Sequence, residues 1–222
     1  MSVKDVTGQD ITRRTYQQPD LVQAFLAKKG TGNEAGEIHK HVRAFAEGLH
    51  GNRLLDVGCG PGIHARQFAR LGLAVTAIDY SEAMIRAATG LSSAGGPIYM
   101  HLDMRDIGDA FPAGSFDGAW VSASLIHVPE PDVPRVLSGI HWVLAPNGIV
   151  RITLKSGLQG ARMIRDDKYG LPVDREFTFW QEQNFTPLLR DARFSIENIK
   201  IETGGTTGDM PTTWLRYGAR KV

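Results

Sequence analysis

Cysteine is scarce in this sequence, and neither sign of charge is in excess. Cys59 is the single cysteine among 222 residues, which excludes an internal disulfide and a zinc site built from several thiolates. Lysine and arginine total 25 and aspartate and glutamate total 24, so the formal net charge is +1. Proteins that bind a nucleic-acid backbone usually present a clear excess of positive charge. We therefore do not expect a nucleic-acid partner.

Long hydrophobic runs are missing as well. No apolar stretch reaches the roughly 20 residues that a membrane-spanning helix needs, and residues 1–14 lack the apolar segment of a secretory leader. These absences predict a cytoplasmic protein that does not enter membranes. Hydrophobic residues make up 42% of the chain and charged residues 22%, a composition typical of a globular domain.

Strand-like and helix-like segments alternate through the middle of the chain. A short apolar run at 54–57 opens into a glycine-rich turn, and apolar residues then recur at helical spacing over 63–71. Alternation of this kind predicts an α/β fold with a parallel sheet covered by helices on both faces. Further strands are predicted at 74–78, 98–100, 118–121 and 149–154, and further helices at 81–88 and 133–144.

Both ends of the chain follow other patterns. Residues 1–18 are polar with no clear period, and residues 156–174 are polar again. Two late strands joined by a loop rich in glycine and threonine predict an antiparallel addition at one sheet edge. The segments predicted in these parts are helices at 21–26, 38–49 and around 185–189, and strands at 176–180, 194–201 and 213–220.

A glycine-rich turn at 58–62 directly follows the first predicted strand. Glycines at this point let the backbone approach a ligand closely, and the helix behind them offers free N–H groups. Asp79 ends the second strand 23 residues after Asp56, near the offset of about 20 at which an acid meets ribose hydroxyls. The dinucleotide fingerprint needs a glycine where this chain has Ile63. The pattern therefore predicts an adenosine-type ligand and argues against a dehydrogenase.

The turn belongs to a longer series of motifs, which are LLDVGCGPG at 54–62, VTAIDYSEAM at 75–84, LDMRD at 102–106, FDGAW at 116–120 and LAPNG at 144–148. In content and order the series resembles the class I S-adenosylmethionine-dependent methyltransferases. The Ser-x-x-His-x-Pro segment at 124–129 resembles their small-molecule branch. The resemblance implies a doubly wound, Rossmann-like sheet of seven mostly parallel strands with an antiparallel C-terminal edge strand. It implies a single domain over 1–222, with a helical N-terminal lid over 1–50, a cofactor-binding core over 51–155, and a C-terminal lid and antiparallel strands over 156–222.

The resemblance also implies a binding site for S-adenosylmethionine at the carboxyl ends of the strands. It places the glycine loop against the methionine part of the cofactor, with an aromatic side chain closing over the site. The residues assigned to cofactor binding are Tyr16, Asp56, Gly58, Cys59, Gly60, Gly62, Asp79, Tyr80, Met84, Asp103, Met104 and Ser122.

Individual roles follow from the same resemblance. Asp56 would lie near the cationic amino group of the cofactor, and Asp79 would accept both ribose hydroxyls. Tyr80 and Met84 would flank the adenine, whose exocyclic amine Asp103 would accept. Each assignment has a structural alternative: an acid can cap a helix or form a turn, and a methionine can be part of the core.

The segment after the fourth predicted strand bears on the methyl acceptor. It reads VSASLIHVP at 121–129 and lacks the Asn/Asp-Pro-Pro-aromatic turn of enzymes that methylate nucleobase or amide amines. Methylation of a pyrimidine carbon through a covalent adduct needs a second cysteine, and Cys59 belongs to the glycine loop. His127 is the candidate general base or polar pocket wall, although it could instead only bond a backbone carbonyl. No cluster of acids indicates a metal.

We therefore expect methyl transfer to an oxygen or nitrogen of a small-molecule metabolite by a monomer or homodimer. Two alternatives stay open. One is a tRNA or rRNA methyltransferase, which would need a basic face or an RNA-binding module, and the other is a cofactor-binding regulatory protein with the same fold. Residues 1–30 and 156–175 are expected to form a lid. Cationic residues in the second segment would suit an anionic acceptor or could form an ordinary solvated surface.

Overall fold

A computed structural model of the protein describes residues 6–30, 38–167, 169–208 and 210–222. In these residues one sheet forms, with apolar clusters on both of its faces. Its strands are β1 Arg53–Val57, β2 Ala74–Asp79, β3 Ile98–His101, β4 Phe116–Ser122, β5 Leu144–Ser156, β6 Gly160–Asp166, β7 Val173–Trp180, β8 Phe194–Thr207 and β9 Met210–Lys221. The α-helices are α1 Gly8–Tyr16, α2 Pro19–Lys29, α3 Lys40–Glu47, α4 Ile63–Arg70, α5 Glu82–Gly90, α6 Ile107–Ala110, α7 Val133–Val143 and α8 Glu182–Asp191.

The first five strands form a parallel sheet in the order β3-β2-β1-β4-β5. Strand order reverses at β1, because β1 lies between β2 and β4. In an open parallel sheet, connections leave such a point in opposite directions and open a crevice at the carboxyl ends of the strands. The predicted doubly wound sheet is confirmed, and its crevice lies at the ends of β1 and β4.

The predicted antiparallel addition is also confirmed. Strand β9 pairs antiparallel with β5 from Ile149 to Ser156, and β8 pairs with β9. Both strands are longer than predicted, because the Gly/Thr-rich segment continues the ladder after a register shift between Thr203 and Thr206. Glycine and threonine at a bulge near a hairpin end are compatible with strand structure. The prediction from composition therefore ended the strand at 201, before the end of β8.

The hairpin of β6 and β7 adds two strands to the seven that the resemblance implies. Strand β5 pairs with β4 as far as Thr153, and beyond that point Lys155 and Ser156 pair with β7 instead. The hairpin thus extends the sheet above the end of β4. The strand predicted at 176–180 is part of β7, but the polar stretch at 156–174 is partly strand. Its polar composition reflects the alternating exposure of β6, in which residues 161, 163 and 165 are exposed.

Helix α1 is a helix that hydrophobic periodicity does not predict. Its buried residues are Thr12 and Thr15, and both bond to the backbone of β7. The N–H of Glu176 donates to Thr12 Oγ1 at 2.6 Å, and Thr15 Oγ1 donates to the carbonyl of Asp174 at 2.9 Å. A helix held by side-chain to backbone hydrogen bonds needs no apolar stripe. Hydrophobic periodicity in residues 1–18 therefore does not predict this helix.

The core follows the predicted apolar positions. The stripe on α7 is completely buried against the sheet at Val133, Val136, Leu137, Ile140 and Val143. Within the described residues, every helix is too short or too polar to cross a membrane.

Candidate active site

A cavity of about 440 Å³ opens at the carboxyl ends of the parallel strands, under α1 and the β6–β7 hairpin. Most of the predicted site residues line it, namely Tyr16, Asp56, Gly58, Cys59, Gly60, Asp79, Tyr80, Met84, Met104, Ser122 and His127. Gly62 is the last residue of the glycine loop and the N-cap of α4. Asp103 borders a smaller adjoining cavity of about 30 Å³.

The three glycines of the loop share one backbone conformation, and Gly58 and Gly60 differ in their surroundings. All have positive φ, at 70° for Gly58, 55° for Gly60 and 79° for Gly62, a region that other residues rarely adopt. A Cβ atom at Gly58 would lie 2.2 Å from Cβ of Ser124. At Gly60 no atom lies within 4 Å of such a Cβ. The backbone at Gly60 therefore faces open space, where a ligand can approach closely.

Asp79 is held at the end of β2 by the glycine loop and the start of α5. Its Oδ2 accepts from the N–H of Gly60 and its Oδ1 from the N–H of Ser81, both at 2.8 Å. A carboxylate has about four acceptor sites, so two remain for other donors. Burial raises the pKa of Asp79 to about 6, and donors from a ligand would stabilise the charged form.

Asp56 is a buried acid with an unsatisfied oxygen. Its side chain lines the cavity while the residue is 2% exposed, and Oδ2 has no hydrogen-bond partner among the described residues. Burial, with the nearby charge of Asp79, raises the pKa of Asp56 to about 8. A cationic ligand group beside Oδ2 would relieve both effects. Asp56 therefore suits the amino group that the resemblance assigns to it.

Asp103 is already saturated by arginines. Its Oδ1 accepts from the N–H and Nε of Arg105, both at 3.0 Å, and its Oδ2 accepts from Nη2 of Arg105 at 2.7 Å and from Arg13 on α1. These bonds use the acceptor capacity of the carboxylate. Arg13 also lies 5.4 Å from the ring centroid of Tyr80. Sequence reasoning missed Arg13, which lies in a segment without a motif.

His127 occupies a chain of hydrogen bonds between the cavity and β7. Its Nδ1 lies 2.8 Å from the carbonyl of Glu176, which can only accept, so Nδ1 carries the proton. Its Nε2 then accepts from the Tyr16 hydroxyl at 3.0 Å, and that hydroxyl accepts from Nη1 of Arg175 at 3.1 Å. Enclosure lowers the pKa of His127 to about 3. At neutral pH the imidazole is uncharged and both ring nitrogens have partners.

The far end of the cavity contains residues that lie outside the five sequence motifs. They are charged and aromatic, and they come from β5, β6, β7, β9 and the segment between β6 and β7. One feature of the sequence could have indicated Lys155: it is a lysine at the end of an otherwise apolar strand. Among the described residues no group of three or more His, Cys, Asp or Glu side chains could hold a metal. The lining residues at this end include Lys155, Asp166, Tyr169, Arg175, Phe177 and Trp214.

Comparison with known proteins agrees with this geometry. Residues 55–152 match the model of a methyltransferase domain family. A ubiquinone biosynthesis O-methyltransferase from Xanthomonas oryzae pv. oryzae is 37% identical over 102 residues, which are 45% of this chain and 41% of that protein. The match thus spans about two fifths of that relative's length.

Solved structures extend the likeness to nearly the whole chain. A methyltransferase from Methanosarcina mazei covers 84% of this chain and 99% of its own, with 21% identity and a TM-score of 0.72. Magnesium protoporphyrin IX methyltransferase from Synechocystis covers 100% of both chains at 17% identity and 0.66. A [4+2]-cyclase covers 97% of both at 20% identity and 0.69.

Fold and matched segment agree with each other. The chain has the fold of the class I S-adenosylmethionine-dependent methyltransferases. Its segment 55–152 matches the model of the methyltransferase domain family. The likeness to a cyclase shows that this fold also serves other reactions, so activity must be argued from the site.

The buried acid Asp56 makes stability depend on pH in the cofactor-free protein. An unfolded aspartate has a pKa of about 3.9, and the folded value is about 8, so between these values the folded state retains a proton that the unfolded state releases. That contribution to stability is present at acid pH and lost as pH rises towards 8. The Asp56→Asn variant does not titrate there. Relative to wild type, it should gain at least about 1 kcal/mol between pH 5 and pH 8.

Urea unfolding at several pH values measures this difference. Asp109→Asn serves as the control, because that acid is 84% exposed. A stability difference between Asp56→Asn and wild type that stays constant from pH 5 to pH 8 would contradict the assignment.

Proposed function

We propose that this protein transfers the methyl group of S-adenosylmethionine to an oxygen or nitrogen atom of a small-molecule acceptor. The observation that carries the proposal is the unsatisfied, buried Oδ2 of Asp56 in the same cavity as Asp79 and the glycine loop. Asp56 is suited to a cationic ligand group and Asp79 to ligand hydroxyls. The backbone of the glycine loop is open to close approach by a ligand. The relative named for ubiquinone biosynthesis supports a small-molecule acceptor.

The residues that would hold the cofactor lie at strand ends, in the turns after them and in the first turn of α5. Asp56 would accept from its ammonium group and Asp79 from its ribose hydroxyls. Tyr80 and Met84 would enclose the adenine. Asp103 would bond the adenine amine only after Arg13 or Arg105 releases the carboxylate. The bound cofactor supplies a methyl group on a sulfonium, so the protein mainly has to align an acceptor and exclude water.

We propose that His127 is a polar wall that holds Tyr16, rather than a general base. A base works best when its pKa lies near the working pH, and enclosure holds the pKa of His127 near 3. Its Nε2 is occupied by the Tyr16 hydroxyl. Helix α1 and the β6–β7 hairpin would act together as the cover of the cavity, because Tyr16 and Arg175 join them.

The proposed activity is tested by incubating the protein with S-adenosylmethionine and a metabolite library. Compounds that gain about 14 mass units, one CH₂ increment, are methyl acceptors aligned by the protein. Tight cofactor binding without any methylated product would favour a regulatory protein or another reaction on the same fold. Methylation confined to added tRNA or rRNA would favour the nucleic-acid alternative.

Asp79→Ala should weaken S-adenosylmethionine binding by about 1.5–3 kcal/mol, the usual loss when a charged acceptor is removed. Isothermal titration measures the affinity, and thermal unfolding checks that the variant is folded. Asp109→Ala is the matched control, because it removes an exposed acid outside the cavity. Unchanged affinity in folded Asp79→Ala protein would remove Asp79 from the cofactor site.

His127→Ala should lower turnover by less than about 10-fold and act mainly on the KM for the acceptor, because alignment does most of the work. Tyr16→Phe should have a similar effect, since it removes the hydroxyl that bonds His127. Steady-state kinetics across pH, with an acceptor from the library, provides the measurement. A loss of about 10²–10⁴-fold in kcat with an altered pH profile would instead identify His127 as a general base.

A further inference from the structure

We infer that the acceptor is an organic anion whose oxyanion binds between Lys155 and Arg175 at the far end of the cavity. This inference rests on the proposed function, since it names the class of molecule that would receive the methyl group. It is carried by the position of two buried cations around one aromatic ring and by an unpartnered N–H on one of them.

Lys155 reaches the cavity from the part of β5 that extends beyond β4. It is 4% exposed and lies opposite Trp214 in the β5–β9 ladder, so both side chains share one face of the sheet. Its Nζ lies 4.9 Å from the Trp214 ring centroid and 4.7 Å from that of Phe177, and it donates to Thr207 Oγ1. These contacts hold the ammonium group at the cavity wall, where it can pair with a bound anion.

Arg175 reaches the same cavity from β7 and is also 4% exposed. Its Nη1 donates to Tyr16 and its Nη2 pairs with Asp166. Its Nε has no hydrogen-bond partner among the described residues. A buried donor without an acceptor is costly, and an oxyanion in the cavity would supply one.

The ring of Phe177 sets the spacing of the two cations. Lys155 Nζ lies 4.7 Å from its centroid and Arg175 Cζ lies 5.0 Å from it, so the two groups are at most about 10 Å apart. This upper limit is compatible with a compact acid that contacts both of them. The aromatic rings of Phe177, Tyr169 and Trp214 border the same space, which suits a flat, aromatic acid.

The described charged groups at this end of the cavity are compatible with an anionic ligand. Among the described lining residues there, Lys155 and Arg175 are cations and Asp166 is the carboxylate. His127 is uncharged at neutral pH and the Tyr16 hydroxyl donates to it. The site excludes water, so an anionic ligand beside these cations would interact with them strongly.

The test compares benzoate with benzamide, which have nearly the same shape but differ in charge. Their affinities are measured by isothermal titration on the full chain saturated with S-adenosylhomocysteine. Wild-type protein should bind benzoate at least about 10-fold more tightly than benzamide, as a charge-assisted hydrogen bond provides. Lys155→Met should remove most of this preference and leave benzamide affinity unchanged.

Two further variants make the comparison specific. Lys155→Arg keeps the positive charge and should retain the preference for benzoate. Arg162→Met is the matched control: it removes a cation that lies 5.2 Å from the Phe179 ring on the same hairpin but does not line the cavity. Arg162→Met should bind both probes as wild type does. Binding of S-adenosylhomocysteine shows that each variant is folded.

Three results would overturn the inference in protein that binds S-adenosylhomocysteine. They are equal affinity for the two probes, no measurable binding of benzoate, and a benzoate preference that persists in Lys155→Met. Failure of the proposed function appears differently, as loss of S-adenosylhomocysteine and S-adenosylmethionine binding by the wild-type protein itself.

Discussion

The difference in length between two neighbouring strands governs the upper half of this molecule. Strand β4 ends at Ser122, which lies opposite Thr153 of β5, whereas β5 continues to Ser156. The backbone groups of β5 beyond β4 would lack partners on that side, and β7 pairs with them. The β6–β7 hairpin is thereby fixed above the crevice of the parallel sheet. Helix α1, the hydrogen bonds of His127 and the far wall of the cavity all depend on that hairpin.

The cavity built in this way has two ends of opposite charge. At the glycine loop, Asp56 and Asp79 are acids whose pKa values burial raises. At the other end, Lys155 and Arg175 are buried cations held by aromatic rings and hydrogen bonds. Electrostatic interactions are strong in a site that excludes water, so the two ends suit ligand groups of opposite charge. This separation fits a donor and an acceptor of different chemical character.

The N-terminal helix connects the two ends. Arg13 of α1 bonds Asp103 at one end, while Thr12 and Tyr16 bond β7 and His127 at the other. These contacts are polar, and polar contacts exchange with water at lower cost than a packed apolar core.

The sequence by itself determined the parallel core, the glycine loop and the position of Asp79, because these depend on local periodicity and on motif order within about 100 residues. It also placed His127 beside the crevice. Only the tertiary structure decided that β6 and β7 pair above β4, because the register between distant strands leaves no local pattern in a half-exposed hairpin. The same holds for Lys155 and Arg175, which are 20 positions apart in the chain and meet around one ring only after β5 and β7 pair.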